Sequence, residues 1–141
     1  MKKKILLLIL IIFWVLALMG CDGGVITDES KVRNVIQEYF SAINNQDWDN
    51  AKDYCIYESD IYYETCDLEG HIDDLIFQYE TVDFAFEIDI FDISINNINY
   101  AQAYIDGTLN ISYDSTSDNS DGSGYMYLEK IGNDWKIYDF K

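Results

Sequence analysis

The apolar residues of this chain change their spacing once, near Val82, and that change limits the fold more than any single motif does. Before it, Val32, Val35, Ile36, Tyr39, Phe40 and Ile43 recur at steps of three and four, the stripe that an amphipathic helix buries on one face. Thr27 or Asp28 can cap this helix, and the polar run Asn44, Asn45, Gln46 interrupts it. Asp47 is placed to cap a second helix in which Trp48, Ala51 and Tyr54 or Cys55 share a face. A third helix is predicted over 71–79 from Ile72, Leu75, Ile76 and Tyr79, while residues 59–66 follow neither period.

After Val82 the period is two. Phe84, Phe86, Ile88 and Ile90 alternate with Asp83, Ala85, Glu87 and Asp89, as a half-buried antiparallel strand requires. The apolar parity then slips to Phe91, Ile93 and Ile95, which predicts a bulge near Ile90 and Phe91. A second strand over 100–113 turns Ala101, Ala103, Ile105, Leu109 and Ile111 to one side, with Gly107 where that side wants a side chain, a sign of a bend. Residues 114–124 read as a polar loop, and two closing strands, 125–130 and 135–140, are joined by a tight turn at Gly132 and Asn133. Helices followed by about four long, bent antiparallel strands predict an α+β domain, with the N-terminal helices packed in the concave face of a curved sheet.

The first twenty residues stand apart from this pattern. Lys2, Lys3 and Lys4 precede an apolar run from Ile5 to Leu18, the layout of a secretory signal. The run is shorter than the roughly 20 apolar residues that a bilayer core of about 30 Å demands, and it ends against Asp22, Gly23 and Gly24. Leu18, Met19, Gly20 and Cys21 resemble the lipobox of bacterial lipoproteins. That resemblance implies cleavage between Gly20 and Cys21, diacylglyceryl transfer to the Cys21 thiol, and a protein anchored on the extracytoplasmic face of a bacterial cell membrane. The expected organisation is a leader over 1–20, a lipidated tether over 21–28 and one domain over 29–141.

Without the leader, 26 acidic side chains face the 6 basic ones that remain once its three lysines are gone, a net charge of −20. Such a surface repels phosphate backbones, which excludes nucleic acid as a partner, and disfavours docking to anionic lipid headgroups through basic residues. Export would place Cys55 and Cys66, the remaining cysteines, where disulfides persist, and a bridge between them is the expectation. A single imidazole, His71, and the absence of a close cysteine pair argue against a zinc site.

The turn and helix around Ala42, Asn45, Asp47, Trp48 and Ala51, with the ending Tyr127, Leu128, Trp135, Lys136, Ile137 and Tyr138, resemble the nuclear transport factor 2-like superfamily, particularly the cystatin-like domains of small bacterial lipoproteins. The resemblance implies a cone with a pocket between helices and sheet, and a sheet through which a homodimer can form. It also includes isomerases and dehydratases that use a pocket Asp as base. The acids available for that task are Asp89, Asp106 and Asp139, each alternating with apolar neighbours and so expected to face water, and His71 reads as a surface or capping residue.

Oxygen donors at Asp114, Asp118, Asn119 and Asp121, beside Gly122, invite calcium, but the spacing lacks the bidentate glutamate of an EF-hand, and a solvated loop is the plainer reading. No residue matches an enzymatic motif of the superfamily, and no cofactor is implied. The leading expectation is therefore a non-enzymatic domain that binds a small apolar ligand, a peptide or an envelope protein. An isomerase or dehydratase using a pocket Asp stands second, and a structural component of an envelope complex third.

Overall fold

A computed structural model describes residues 26–141; the leader, Gly20 and Cys21 lie outside the described residues. Helix α1 (Asp28–Asn44) opens on Thr27, whose hydroxyl accepts from the Ser30 N–H at 3.2 Å while the Ser30 hydroxyl donates back to the Thr27 carbonyl at 2.8 Å. Its stripe of Val32, Ile36, Tyr39 and Ile43 is buried as the spacing predicts, with Val35 and Phe40 packed at its margin. Asp47 caps α2 (Trp48–Asp53), accepting from the Asn50 N–H. This helix stops short of Cys55 because the backbone there is claimed by the sheet: the Ile137 N–H donates to the Tyr54 carbonyl and the Ile56 N–H to the Ile137 carbonyl.

Helix α3 (Asp60–Gln78) corrects the third helix expected over 71–79. It starts one turn after Tyr57, capped by Ser59, and runs unbroken through the segment 59–66 and through Gly70, which sits on an open face. Its inward residues are Ile61, Thr65, Leu68, Ile72 and Leu75. The helical period was hidden because one member of the stripe, Thr65, is polar.

Strands β1 (Val82–Ile95), β2 (Tyr100–Tyr113), β3 (Thr116–Ile131) and β4 (Asp134–Phe140) form one antiparallel sheet in the order β1-β2-β3-β4. Its curved inner face receives the three helices among the described residues. The register slips between Ile90 and Asp92, where the parity change lies, and the bulged Phe91 is turned outward. Trp48 stacks on Phe84 with centroids 5.9 Å apart, fixing α2 to the start of β1.

The polar loop expected over 114–124 is not one. Tyr113 pairs with Thr116 across a two-residue turn at Asp114 and Ser115, and β3 continues through Asp118, Asn119 and Asp121 opposite Ile111, Asn110 and Thr108. Asp114 takes the left-handed conformation that the turn needs (φ 49°), and its carboxylate accepts from the N–H groups of Glu80 and Thr81. The other carboxylates are likewise engaged one by one: Asp118 accepts from the Tyr113 hydroxyl and Asp121 from the Thr108 hydroxyl. These oxygens are spread along a strand rather than gathered by a loop, and among the described residues no group of three or more His, Cys, Asp or Glu side chains converges as a metal site would need.

Candidate functional site

A cavity of about 310 Å³ lies between α1, α3 and the concave face of the sheet, at the lower end of the range of roughly 300–1,000 Å³ typical of ligand pockets. Helix α1 contributes Tyr39, Phe40 and Ile43, and α3 contributes Ile61, Glu64 and Leu68. The sheet contributes Phe86, Ile88, Ile105, Leu109, Met126 and Phe140. The walls are therefore almost wholly apolar, with aromatic rings from three elements.

Its floor explains why the space exists. Gly107 on β2 stands directly opposite Gly122 on β3, and both line the cavity, so two neighbouring inward positions of the sheet carry no side chain. Gly107 is also needed for close packing, since a Cβ there would lie 3.0 Å from the Glu87 carbonyl oxygen and 3.1 Å from the Ile88 side chain. A Cβ at Gly122 would meet nothing within 4 Å. The bend expected at Gly107 thus turns out to be a gap in the lining.

Polar groups in this cavity are few. The Thr65 hydroxyl donates to the Ile61 carbonyl at 2.7 Å, so the Tyr39 hydroxyl, 2.9 Å from Thr65 Oγ1, is the donor of that bond. Burial pushes the Tyr39 phenol above its ordinary range, and its single proton is already committed to Thr65. Glu64, exposed on α3 at the rim, is the carboxylate that the helix sets beside the cavity. Partial burial raises its pKa, and the nearby charges of Asp139, Asp60 and Asp67 raise it further. Asp121 also borders the space, but its carboxylate is held by Thr108, whose side chain belongs to the opposite face of the sheet.

The acids singled out from sequence lie elsewhere. Asp89 and Asp106 are exposed, paired across β1 and β2 on the convex side, as their alternation implies. Asp139 is the exception: it is buried, beside the register shift in β3 and β4, and its carboxylate accepts from the Phe140 N–H at 2.9 Å and pairs with the Lys141 ammonium. His71 is exposed in the middle of α3, not at its start. Glu64 escaped the sequence reading because it sits in the stretch of unclear period; on a helix, its position three residues after Ile61 and four before Leu68 places it on the inward edge.

Cys55 and Cys66 stand as free thiols, the first buried and the second half-buried. The Cys55 thiol donates to the Ala51 carbonyl at 3.6 Å, with Thr65 Oγ1 at 3.9 Å, and burial pushes its pKa up to about 11.

No protein-family model matches this sequence, and no curated protein matches it. Solved structures do. A ketosteroid isomerase-like protein from Erwinia carotovora atroseptica aligns over 80% of this chain and 92% of its own, with a TM-score of 0.63 at 11% identity. An NTF-2 like protein of unknown function from Shewanella oneidensis aligns over 79% and 95%, with a TM-score of 0.60 at 14% identity. A domain of unknown function with a cystatin-like fold from Nostoc punctiforme aligns over 80% and 74%, with a TM-score of 0.59 at 13% identity. At these identities the likeness is one of architecture, and this chain has the α+β fold of nuclear transport factor 2-like proteins.

Proposed function

We propose that this chain is a lipid-anchored binding protein of the bacterial envelope, whose cavity takes a small, largely apolar ligand. The observation that carries the reading is the open apolar space above the Gly107 and Gly122 pair. Close packing against Glu87 and Ile88 accounts for Gly107, but nothing within 4 Å accounts for Gly122, where a side chain would cover the apolar lining that is left open.

Acid–base catalysis of the isomerase kind needs a carboxylate that meets the substrate and a donor that holds the oxyanion formed. Glu64 supplies a carboxylate at the rim, but the Tyr39 proton is spent on Thr65. The lining therefore favours holding a ligand over transforming one. Names of proteins sharing the fold span an isomerase-like protein and others of unknown function, and the architecture does not choose among activities.

Lipidation at Cys21 after cleavage at Gly20 would hold the domain at the outer surface of the membrane, where two or more acyl chains give stable anchoring. The same export would bring Cys55 and Cys66 to a thiol–disulfide oxidant outside the membrane, which would take up their two protons and two electrons and leave a bridge. The test is native mass spectrometry of the processed chain, extracted from the membranes of its own cells. A co-purifying small molecule lost in a Gly122→Ile variant supports the reading; a bare mass together with a recovered protein partner would replace it with the assembly role. Cys21→Ala should abolish acyl labelling, and continued labelling would remove the anchor from the proposal.

A further inference from the structure

The charged side chains that line the cavity, Glu64 on α3 and Asp121 on β3, carry one sign, with Ser120 the neutral polar residue beside them. Glu64 lies at the rim, with Asp60 and Asp67 on the same helix and Asp139 on β4 close enough to act on it. No Lys, Arg or His lines the cavity, and no ion pair among the described residues includes Glu64. Lys141, on the chain beside Asp139, is engaged by that carboxylate. Around the same space stand the rings of Tyr39, Phe40, Phe86 and Phe140.

From this arrangement we infer that the ligand is an organic cation, an ammonium head on a hydrocarbon body, with the head paired to Glu64 and the body filling the cavity over Gly107 and Gly122. The inference rests on the cavity being a ligand site and adds the ligand's charge. Like charges and partial desolvation make an ionised Glu64 costly on its own, and the opposite charge of a cation at that carboxylate offsets the cost. Aromatic faces attract cations as well as hydrocarbon, whereas an anionic ligand would meet the Glu64 carboxylate and no basic side chain in the lining. The excess of acidic side chains over the whole chain draws cations toward the mouth before any contact forms.

Calorimetric titration of the full-length chain in detergent, against detergent blanks, separates the two claims. The probes share one body and differ in the head: phenylbutylammonium, phenylbutanol and phenylbutyrate. The ammonium should bind at least about tenfold more tightly than the alcohol, as a desolvated charge-assisted pair allows, and the carboxylate should bind weakest. Glu64→Gln should bring the ammonium to the level of the alcohol and leave the alcohol unchanged. Gly122→Ile, which adds a side chain at an unstrained strand position with open space around its Cβ, should weaken all three. Equal affinity of ammonium and alcohol, or a preference that survives Glu64→Gln, overturns the cation inference and leaves the cavity as a neutral ligand site. Failure of every probe to bind, or binding indifferent to Gly122→Ile, overturns both.

Discussion

The side-chain amide of Asn44 pairs with the backbone of Phe86 in both directions, donating to its carbonyl at 2.8 Å and accepting from its N–H at 2.7 Å. β1 is an edge strand, and this last residue of α1 stands in for the missing neighbour at the position where Phe86 enters the cavity wall. At the opposite edge, the segment after α2 bonds to Ile137 of β4 in the same spirit. Replacing Asn44 with Ala leaves the Phe86 groups to water and should lower stability by about 1 kcal/mol in urea unfolding. Asn44→Asp keeps the acceptor but not the donor, and should fall between the two. Equal midpoints for all three proteins would show that the pairing adds nothing.

A second prediction concerns the hydroxyl chain from Tyr39 through Thr65 to Ile61. Thr65→Val preserves shape and removes the acceptor of a buried phenol, which should cost about 1–3 kcal/mol. Tyr39→Phe added to Thr65→Val should recover part of that loss, because no unsatisfied donor then remains. The measurement is a double-mutant cycle, and strict additivity would argue against coupling between the two hydroxyls.

Asp28 gives stability a defined pH dependence. Hydrogen bonds from the Lys130 ammonium and the Trp135 indole hold its carboxyl below the ordinary value of 3.8. A folded pKa lowered in this way stabilises the native state above the unfolded value, and the contribution is lost as pH falls below 3.8 through the folded pKa. Asp28→Asn should flatten that part of the stability profile. Glu64 acts with the opposite sign: its raised folded pKa makes the ionised form a burden, so Glu64→Gln should gain stability at neutral pH and gain nothing once the wild-type group is protonated.

The two cysteines are expected to differ when reduced. With its thiol buried and its pKa pushed up to about 11, Cys55 should be alkylated far more slowly than Cys66 in the folded chain, and at a comparable rate once unfolded. For the protein taken from its own cells, peptide mapping after unfolding without reductant tests the proposed bridge: neither thiol free supports it, and labelling at both removes it.

How far the sequence reveals this molecule depends on where water lies. Strands β1 and β2 alternate cleanly because one side of each meets the helices and the other meets solvent, and even the slip at Ile90 and Phe91 is written in the parity. The first half of β3 lies along the part of the hairpin nearest the Asp114 turn, where all its residues are exposed from Thr116 to Ser123, so burial imposes no alternation and the chain reads as a loop. α3 was only half legible because Thr65, buried by hydrogen bonding rather than by hydrophobicity, interrupts its stripe. Losing that half of the helix concealed Glu64, and with it the polar side of the cavity. Gly107 announced a departure from the pattern, but only its pairing with Gly122 shows that the result is empty space.

The clasp of Asp28 onto Lys130 and Trp135 also separates the start of α1 from the part that builds the cavity. The first turn of the helix is thereby joined to both β3 and β4. The cavity takes its share of α1 from Tyr39, Phe40 and Ile43, a helical distance of about 17–23 Å farther on. The first turn of α1 is therefore tied to two strands of the sheet by contacts that none of those walls shares.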